Sequence, residues 1–141
     1  MSELIDMVAS FWMWENGRND YTQTLPCNSF HFPQFEQLCN LCISLINSPL
    51  SADEANAFLM SMAIDSETEK ILDACKEYAN PDFLHMLLTA GVTFPQHETR
   101  WQLAELLRKD IPDKNIFLGI LLSDPNSYVR KRATNILNQD Q

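Results

Sequence analysis

The sequence predicts an all-α fold of about eight helices in four antiparallel pairs, and three observations carry that expectation. Apolar residues recur at three- and four-residue spacing along most of the chain. The 7 prolines stand mostly between these apolar segments, and only 3 glycines occur in 141 residues, too few for the turns of an all-β domain. The third is an internal repeat at a thirty-residue interval. With 45% apolar residues the chain has material for a core, and its length fits one domain over residues 1–141.

The first helix is expected over residues 2–15, with Leu4, Ile5, Val8, Phe11 and Trp12 on one face. Asn16-Gly17 stops it, glycine being the residue that accepts a left-handed cap at least cost. Residues 16–32 follow neither helical nor strand period; a loop this long is often functional, and a short helix or an edge packed by its aromatics fits equally. Pro33 starts a second helix with Phe35, Leu38, Cys39, Cys42, Ile43 and Ile46 inward, ended by Asn47-Ser48-Pro49.

Two capping boxes come next, each a serine and a glutamate three residues apart that would satisfy one another's free amides. Ser51 with Glu54 opens a helix over about 52–64, and Ser66 with Glu69 opens one over 67–79. Asn80-Pro81 starts a fifth helix that Gly91 closes. Pro95 starts a sixth to about Lys109, Pro112 a seventh to about Ser123, and Asp124-Pro125 an eighth to about Asn138.

In the repeat, Val129, Arg130, Ala133 and Leu137 stand thirty residues after Thr99, Arg100, Leu103 and Leu107, and Asp124-Pro125 thirty after Phe94-Pro95. This order resembles the second half of a HEAT-type helical repeat, most specifically over residues 113–137, fairly over 81–109 and weakly over 1–79, where the arginines are missing. The resemblance implies a right-handed stack of helix pairs in which Arg100 and Arg130 tie neighbouring repeats together. A HEAT-like unit leaves its own apolar face open, so it implies stacked neighbours and a surface for gripping another macromolecule.

The net charge of −9 lies entirely in the first half. Residues 1–69 hold ten acids and only Arg18 as a base, whereas residues 70–141 hold nine of each sign. Such a field repels nucleic acid and anionic lipid and attracts basic partners; as ordinary solubility charge it would need no partner. HEAT-like DNA glycosylases grip the duplex in a basic groove, but here bases cluster only at Arg108-Lys109 and Arg130-Lys131-Arg132. No apolar run approaches the ~20 residues of a bilayer span. The N-terminal residues carry Glu3 and Asp6 where a signal peptide needs bases, so a cytoplasmic protein is expected.

Metal and catalytic chemistry find little support. Cys27, His31, Cys39 and Cys42 offer zinc-ligand types, but Cys39 and Cys42 fall on the apolar stripe, where free cysteine behaves as a small hydrophobe. His31, His85 and His97 lie on separate segments, with no phosphate loop or nucleophile elbow. No enzyme activity, cofactor, metal or small-molecule substrate is expected.

Acidic stripes are more informative. On the fourth helix Glu69, Asp73 and Glu77 recur every four residues, opposite Ile71, Cys75 and Tyr78; on the sixth, Glu98, Gln102 and Glu105 follow at steps of four and three, again on one face, beside Trp101. Like charges at this spacing repel by a few tenths of a kcal/mol per pair. A basic partner relieves that repulsion; solvent does so in part. Trp101, matching Lys131 in the repeat register, is expected to be exposed and, with Tyr21 in the long loop, to anchor a partner; the plainer role is half-buried core.

In size, charge and architecture the chain resembles immunity proteins of contact-dependent growth inhibition (polymorphic toxin) systems. That resemblance implies a cognate toxin C-terminal domain as partner, a basic nuclease and first of all a ribonuclease, blocked by occlusion. Glu69, Asp73, Glu77, Glu98 and Glu105 would face its bases, with Trp101 and Tyr21 as anchors. The alternative is a HEAT-like adaptor in an endogenous complex. A HEAT-like enzyme would instead show a deep pocket with convergent polar groups.

Overall fold

Every element the computed structural model describes, over residues 2–17, 21–25 and 29–139, is helical. In order these are α1 (Glu3–Glu15), a one-turn 3-10 helix (Ser29–His31), α2 (Phe35–Ser44), α3 (Ala52–Ile64), α4 (Lys70–Tyr78), α5 (Pro81–Gly91), α6 (His97–Ala104), α7 (Lys114–Leu122) and α8 (Ser127–Gln139). Among the described residues there is no strand, so the all-α expectation holds.

Burial explains the arrangement. Helix α3 is apolar nearly all round, burying Ala57, Phe58, Leu59, Met60, Met62, Ala63 and Ile64, and so sits at the centre. It packs against α1 on one side and α6 on another, and α6 packs in turn against α8. Beside this row, α2 lies against α1 and α3, α5 against α3 and α6, and α7 against α6 and α8. Helix α4 packs chiefly on α2 rather than on α3, its expected pair mate. One apolar cluster, from Leu4 to Ile136, draws on all eight α-helices.

The helix ends show where local signals were sufficient. At Ser51 the capping box forms, with the Glu54 N–H 3.1 Å from Ser51 Oγ and the Ser51 N–H 3.0 Å from Glu54 Oε1. Asn80 Oδ1 accepts the Phe83 N–H at 2.8 Å and Pro81 opens α5. The box expected at Ser66 does not form: α4 starts at Lys70, and Glu69 takes a left-handed φ of 53° with no side-chain cap. Buried Asp65 replaces it, its Oδ2 accepting the Ile71 N–H at 2.8 Å and its Oδ1 the Thr68 hydroxyl.

Other boundaries differ too. Asn16, not Gly17, adopts the left-handed geometry after α1, with φ 64°; asparagine tolerates it through its short polar side chain. Gly17 is needed for space, because a Cβ there would strike the Gln23 amide and lie 2.9 Å from the Trp12 ring. Gly91 is the last residue of α5, and Val92 caps the helix with ordinary φ −65°. Helix α6 ends at Ala104, after which Glu105, Leu106 and Leu107 donate to carbonyls three residues back; this tighter winding buries Leu106 and Leu107.

The long connection after α1 is held by aromatic and amide contacts. Phe32 is buried with its ring 5.5 Å from Phe11 and 5.7 Å from Trp14. Gln96 Nε2 donates to the carbonyls of Tyr21 at 2.7 Å and Gln23 at 2.5 Å. Trp12 is buried and Trp14 partly exposed, as their two-residue spacing requires.

Candidate functional site

Three helices deliver side chains to one surface. Tyr128 and Arg132 stand four residues apart on α8, Trp101 lies on α6 with Glu105 four residues on, just past its end, and Glu69 immediately precedes α4. Each spacing places its pair on a single helix face. Arg132 Nη1 lies 3.1 Å from Glu69 Oε2 and 3.5 Å from Glu105 Oε1, and its Nε donates to the Tyr128 hydroxyl at 3.1 Å. The guanidinium also sits 5.2 Å from the Tyr128 ring centre and 5.9 Å from that of Trp101.

Arg132 is therefore the hub. Burial works against its charge, but hydrogen bonds to Glu69 and Tyr128 outweigh that and hold its pKa above the ordinary arginine value. The rings around it pack on one another, Trp101 meeting Tyr128 edge-on at 4.8 Å and lying tilted to His97 at 5.5 Å. His97 Nδ1 approaches Glu98 Oε1 at 3.5 Å, and Lys76 Nζ approaches Glu105 Oε2 at 3.7 Å. The result is a packed aromatic patch edged by carboxylates.

Of the residues singled out from sequence, Glu69, Trp101 and Glu105 meet here, with Glu98 one helical turn before Trp101 on α6. The α6 stripe is not an open acidic face, however. Gln102 is fully buried, its amide donating to the carbonyls of Met62 at 2.8 Å and Glu98 at 2.9 Å. That bond draws the stripe inward and leaves the side chains of Glu98 and Glu105 only 17% and 23% exposed. Trp101 is half-buried rather than exposed, and its indole N–H has no acceptor among the described residues.

Asp73 and Glu77 are exposed on α4, opposite buried Ile71 and Cys75. Tyr78, expected with the buried pair, is exposed instead. Its carbonyl accepts from Asn47 Nδ2 at 2.9 Å, and Asn47 Oδ1 accepts the Asn80 N–H at 2.8 Å. These bonds tie the α2–α3 turn to the α4–α5 turn.

Tyr21 stands apart from this patch. Its ring is 6.0 Å from Phe94, and burial, then the nearby Asp53 charge, pushes its hydroxyl pKa up. Sequence reasoning overlooked Tyr128, Arg132 and Lys76. The four-residue spacing of Tyr128 and Arg132 is a usable signal, but in the sequence Arg132 reads first as part of a basic run.

Arg100 and Arg130 serve the scaffold. Arg100 grips Asp124 through two bonds of 2.7 and 3.2 Å and donates to the carbonyls of Phe94 and Pro95; Arg130 Nη1 donates to the Asp124 carbonyl at 2.6 Å. Beside them lies an open, mostly apolar cleft of about 530 Å³ between the α5–α6 and α7–α8 connections, lined by Phe94, Pro95, Ile120 and Pro125. Its charged members, Arg100 and Asp124, are already engaged with each other.

Cys39, Cys42 and Cys75 are buried free thiols. Burial pushes Cys42 and Cys75 up to about 12 and Cys39 further still, the opposite of a metal-ready thiolate. Among the described residues no group of three or more His, Cys, Asp or Glu side chains is placed to hold a metal ion, and Cys27 lies outside them. No helix among them is long and apolar enough to cross a membrane. No protein-family model, curated protein or solved structure matches the chain.

Proposed function

We propose that this chain is a cytoplasmic HEAT-like binding module that clasps a basic protein and acts by occlusion, as an immunity protein does against the C-terminal nuclease domain of its cognate toxin. The observation that carries the reading is the convergence of Glu69, Trp101 and Glu105 with Tyr128 around Arg132. Packed aromatics ringed by charge are what a protein partner needs as an anchor, because little side-chain freedom is lost on contact. Asp73 and Glu77, exposed on the helix that Glu69 precedes, extend the negative field from that anchor. A ribonuclease must hold phosphate with bases, and those bases are the groups such a surface meets. The HEAT-like stack is supported by the row α1, α3, α6, α8 and by both repeat arginines meeting at the turn of Asp124.

The proposal predicts a nuclease toxin gene beside that of this chain, and the test uses its product. Wild-type chain is expected to abolish its RNA cleavage at a one-to-one ratio. Asp73→Lys with Glu77→Lys should weaken inhibition at least tenfold, about 1.4 kcal/mol, and more at low salt than at high. Unimpeded cleavage with wild-type chain present would reject the proposal. Full protection by the double variant would move the contact away from α4.

A further inference from the structure

Among the described residues Asn16, Asn47 and Asn126 each precede a glycine or a serine, small residues that leave the next peptide nitrogen open to approach. Two of the three are held. Asn47 uses both ends of its amide, Nδ2 on the Tyr78 carbonyl at 2.9 Å and Oδ1 on the Asn80 N–H at 2.8 Å. Asn126 Oδ1 accepts the Tyr128 and Val129 N–H groups at 2.9 and 3.1 Å. Asn16 differs from both. Its side chain is exposed, and among the described residues no such bond holds its amide. Its neighbour is Gly17, the least hindered residue of all, and the pair lies at the fraying end of α1.

We propose that Asn16–Gly17 is a self-modification site, where asparagine turns into a mixture of aspartate and isoaspartate without an enzyme. The Gly17 nitrogen, once hydroxide has taken its proton, attacks Cγ of Asn16. The new N–Cγ bond closes a five-membered imide as the Cγ–NH2 bond breaks, and ammonia leaves with a proton from water. Water then opens the imide. Breaking the N–Cγ bond gives aspartate; breaking the bond from that nitrogen to the main-chain carbonyl carbon of residue 16 gives isoaspartate. Neither step needs an oxidant or a reductant.

The fold sets the rate. The Gly17 N–H donates to the Trp12 carbonyl at 3.0 Å, and a proton so held is harder to remove. Asn16 stands at φ 64° and ψ 23°. Closing the ring needs Cβ and the Gly17 nitrogen eclipsed about the Cα–C bond, and at this ψ they point well apart. Gly17 is too closely packed to swing in place, since even a Cβ there would strike the Gln23 amide and the Trp12 ring. All three brakes release together when the last turn of α1 opens, as terminal turns do far more often than cores. Conversion in the native chain is therefore slowed and not stopped.

The two products act differently. Aspartate keeps the left-handed geometry of Asn16 but adds a charge beside Glu15 at the carbonyl end of α1, where the helix dipole disfavours it. Isoaspartate lengthens the main chain by one methylene, so Gly17 loses its place against Trp12 and Gln23. The Gln23 carbonyl accepts from Gln96 at the start of α6, so the change slackens the hold of α6 on the long connection.

Arg18 is the first base in the sequence, so trypsin releases residues 1–18 as one peptide, in which Asn16 is the sole amide side chain. Full-length chain is kept warm at mildly alkaline pH, folded or in urea, and that peptide is followed by mass spectrometry over weeks. It should grow heavier by the exchange of NH for O, divide into two chromatographic forms, and do so faster at higher pH. Folding should slow the change at least about tenfold, while Asn47 and Asn126 stay intact in the folded chain. A peptide that keeps its mass in the folded chain would overturn the proposal. Equal rates in folded and urea-treated chain would overturn it by removing any part for the Trp12 bond. Conversion of Asn47 or Asn126 as fast as Asn16 would overturn it too, because side-chain bonding would then not choose the site.

Discussion

Arg100 and Asp124 form a forked ion pair across the α6 and α7–α8 connection, with Nε to Oδ2 at 2.7 Å and side chains only 12% and 3% exposed. Asp124 also accepts the Asn126 N–H at 2.9 Å, and Asn126 in turn caps the start of α8 through Tyr128 and Val129. Removing Arg100 strands a buried carboxylate and loosens that cap. Arg100→Ala should therefore cost about 3–5 kcal/mol in urea unfolding. Arg100→Lys should recover only part, since an ammonium cannot make the fork. A loss under 1 kcal/mol for the alanine variant would show that water solvates Asp124 after all.

Two serines with the same sequence signature should behave differently. Ser51→Ala removes a hydrogen-bonded cap and should cost about 1 kcal/mol. Ser66→Ala should cost almost nothing, because the helix it was expected to open starts at Lys70 under the control of Asp65. Equal losses in urea midpoint would mean that Ser66 contributes to a cap in solution.

That contrast shows what was legible beforehand. Helix identity followed from apolar period, and caps followed where both partners were local, as at Ser51 and Asn80. The signals failed where a distant residue competed. Glu69 is drawn to Arg132, sixty-three positions on, instead of back to Ser66. Gln102 looked like part of a solvent stripe because its spacing matched Glu98 and Glu105, but the carbonyl of Met62 in α3 took its amide. Local pattern reports which face a side chain is on; it does not report which helix covers that face. The candidate surface was accordingly half legible: its acids and Trp101 were found, and the arginine binding them was not.

Asp65 should give the chain a pH signature. Burial pushes its carboxyl above the ordinary aspartate range, and bonds from the Ile71 N–H and Thr68 hydroxyl recover only part of that shift. The folded state then holds this proton more tightly than the unfolded state. Its contribution is complete below the unfolded aspartate value and is lost as pH rises through the raised value. Asp65→Asn cannot ionise and should lose that slope. Urea unfolding across the acid range should show the variant gaining on wild type as pH rises; a constant difference would place the ionised carboxylate comfortably in the folded chain.

Arg132 decides how much of the acidic surface a partner feels. It neutralises Glu69 and Glu105 while leaning on Trp101 and Tyr128, so Arg132→Gln removes one positive charge and releases two carboxylates. The stability loss should be modest, about 1–2 kcal/mol, because these pairs are only partly shielded from water. Encounter with a cationic polymer such as poly-lysine should become faster at low salt, and the gain should fade as salt is raised. Asp73→Lys with Glu77→Lys should change the same rate in the opposite direction. Stopped-flow mixing of the three proteins with poly-lysine at two ionic strengths reads both effects. If Arg132→Gln leaves the rate unchanged, Glu69 and Glu105 lie too far inside to steer a partner, and the negative field belongs to α4 alone.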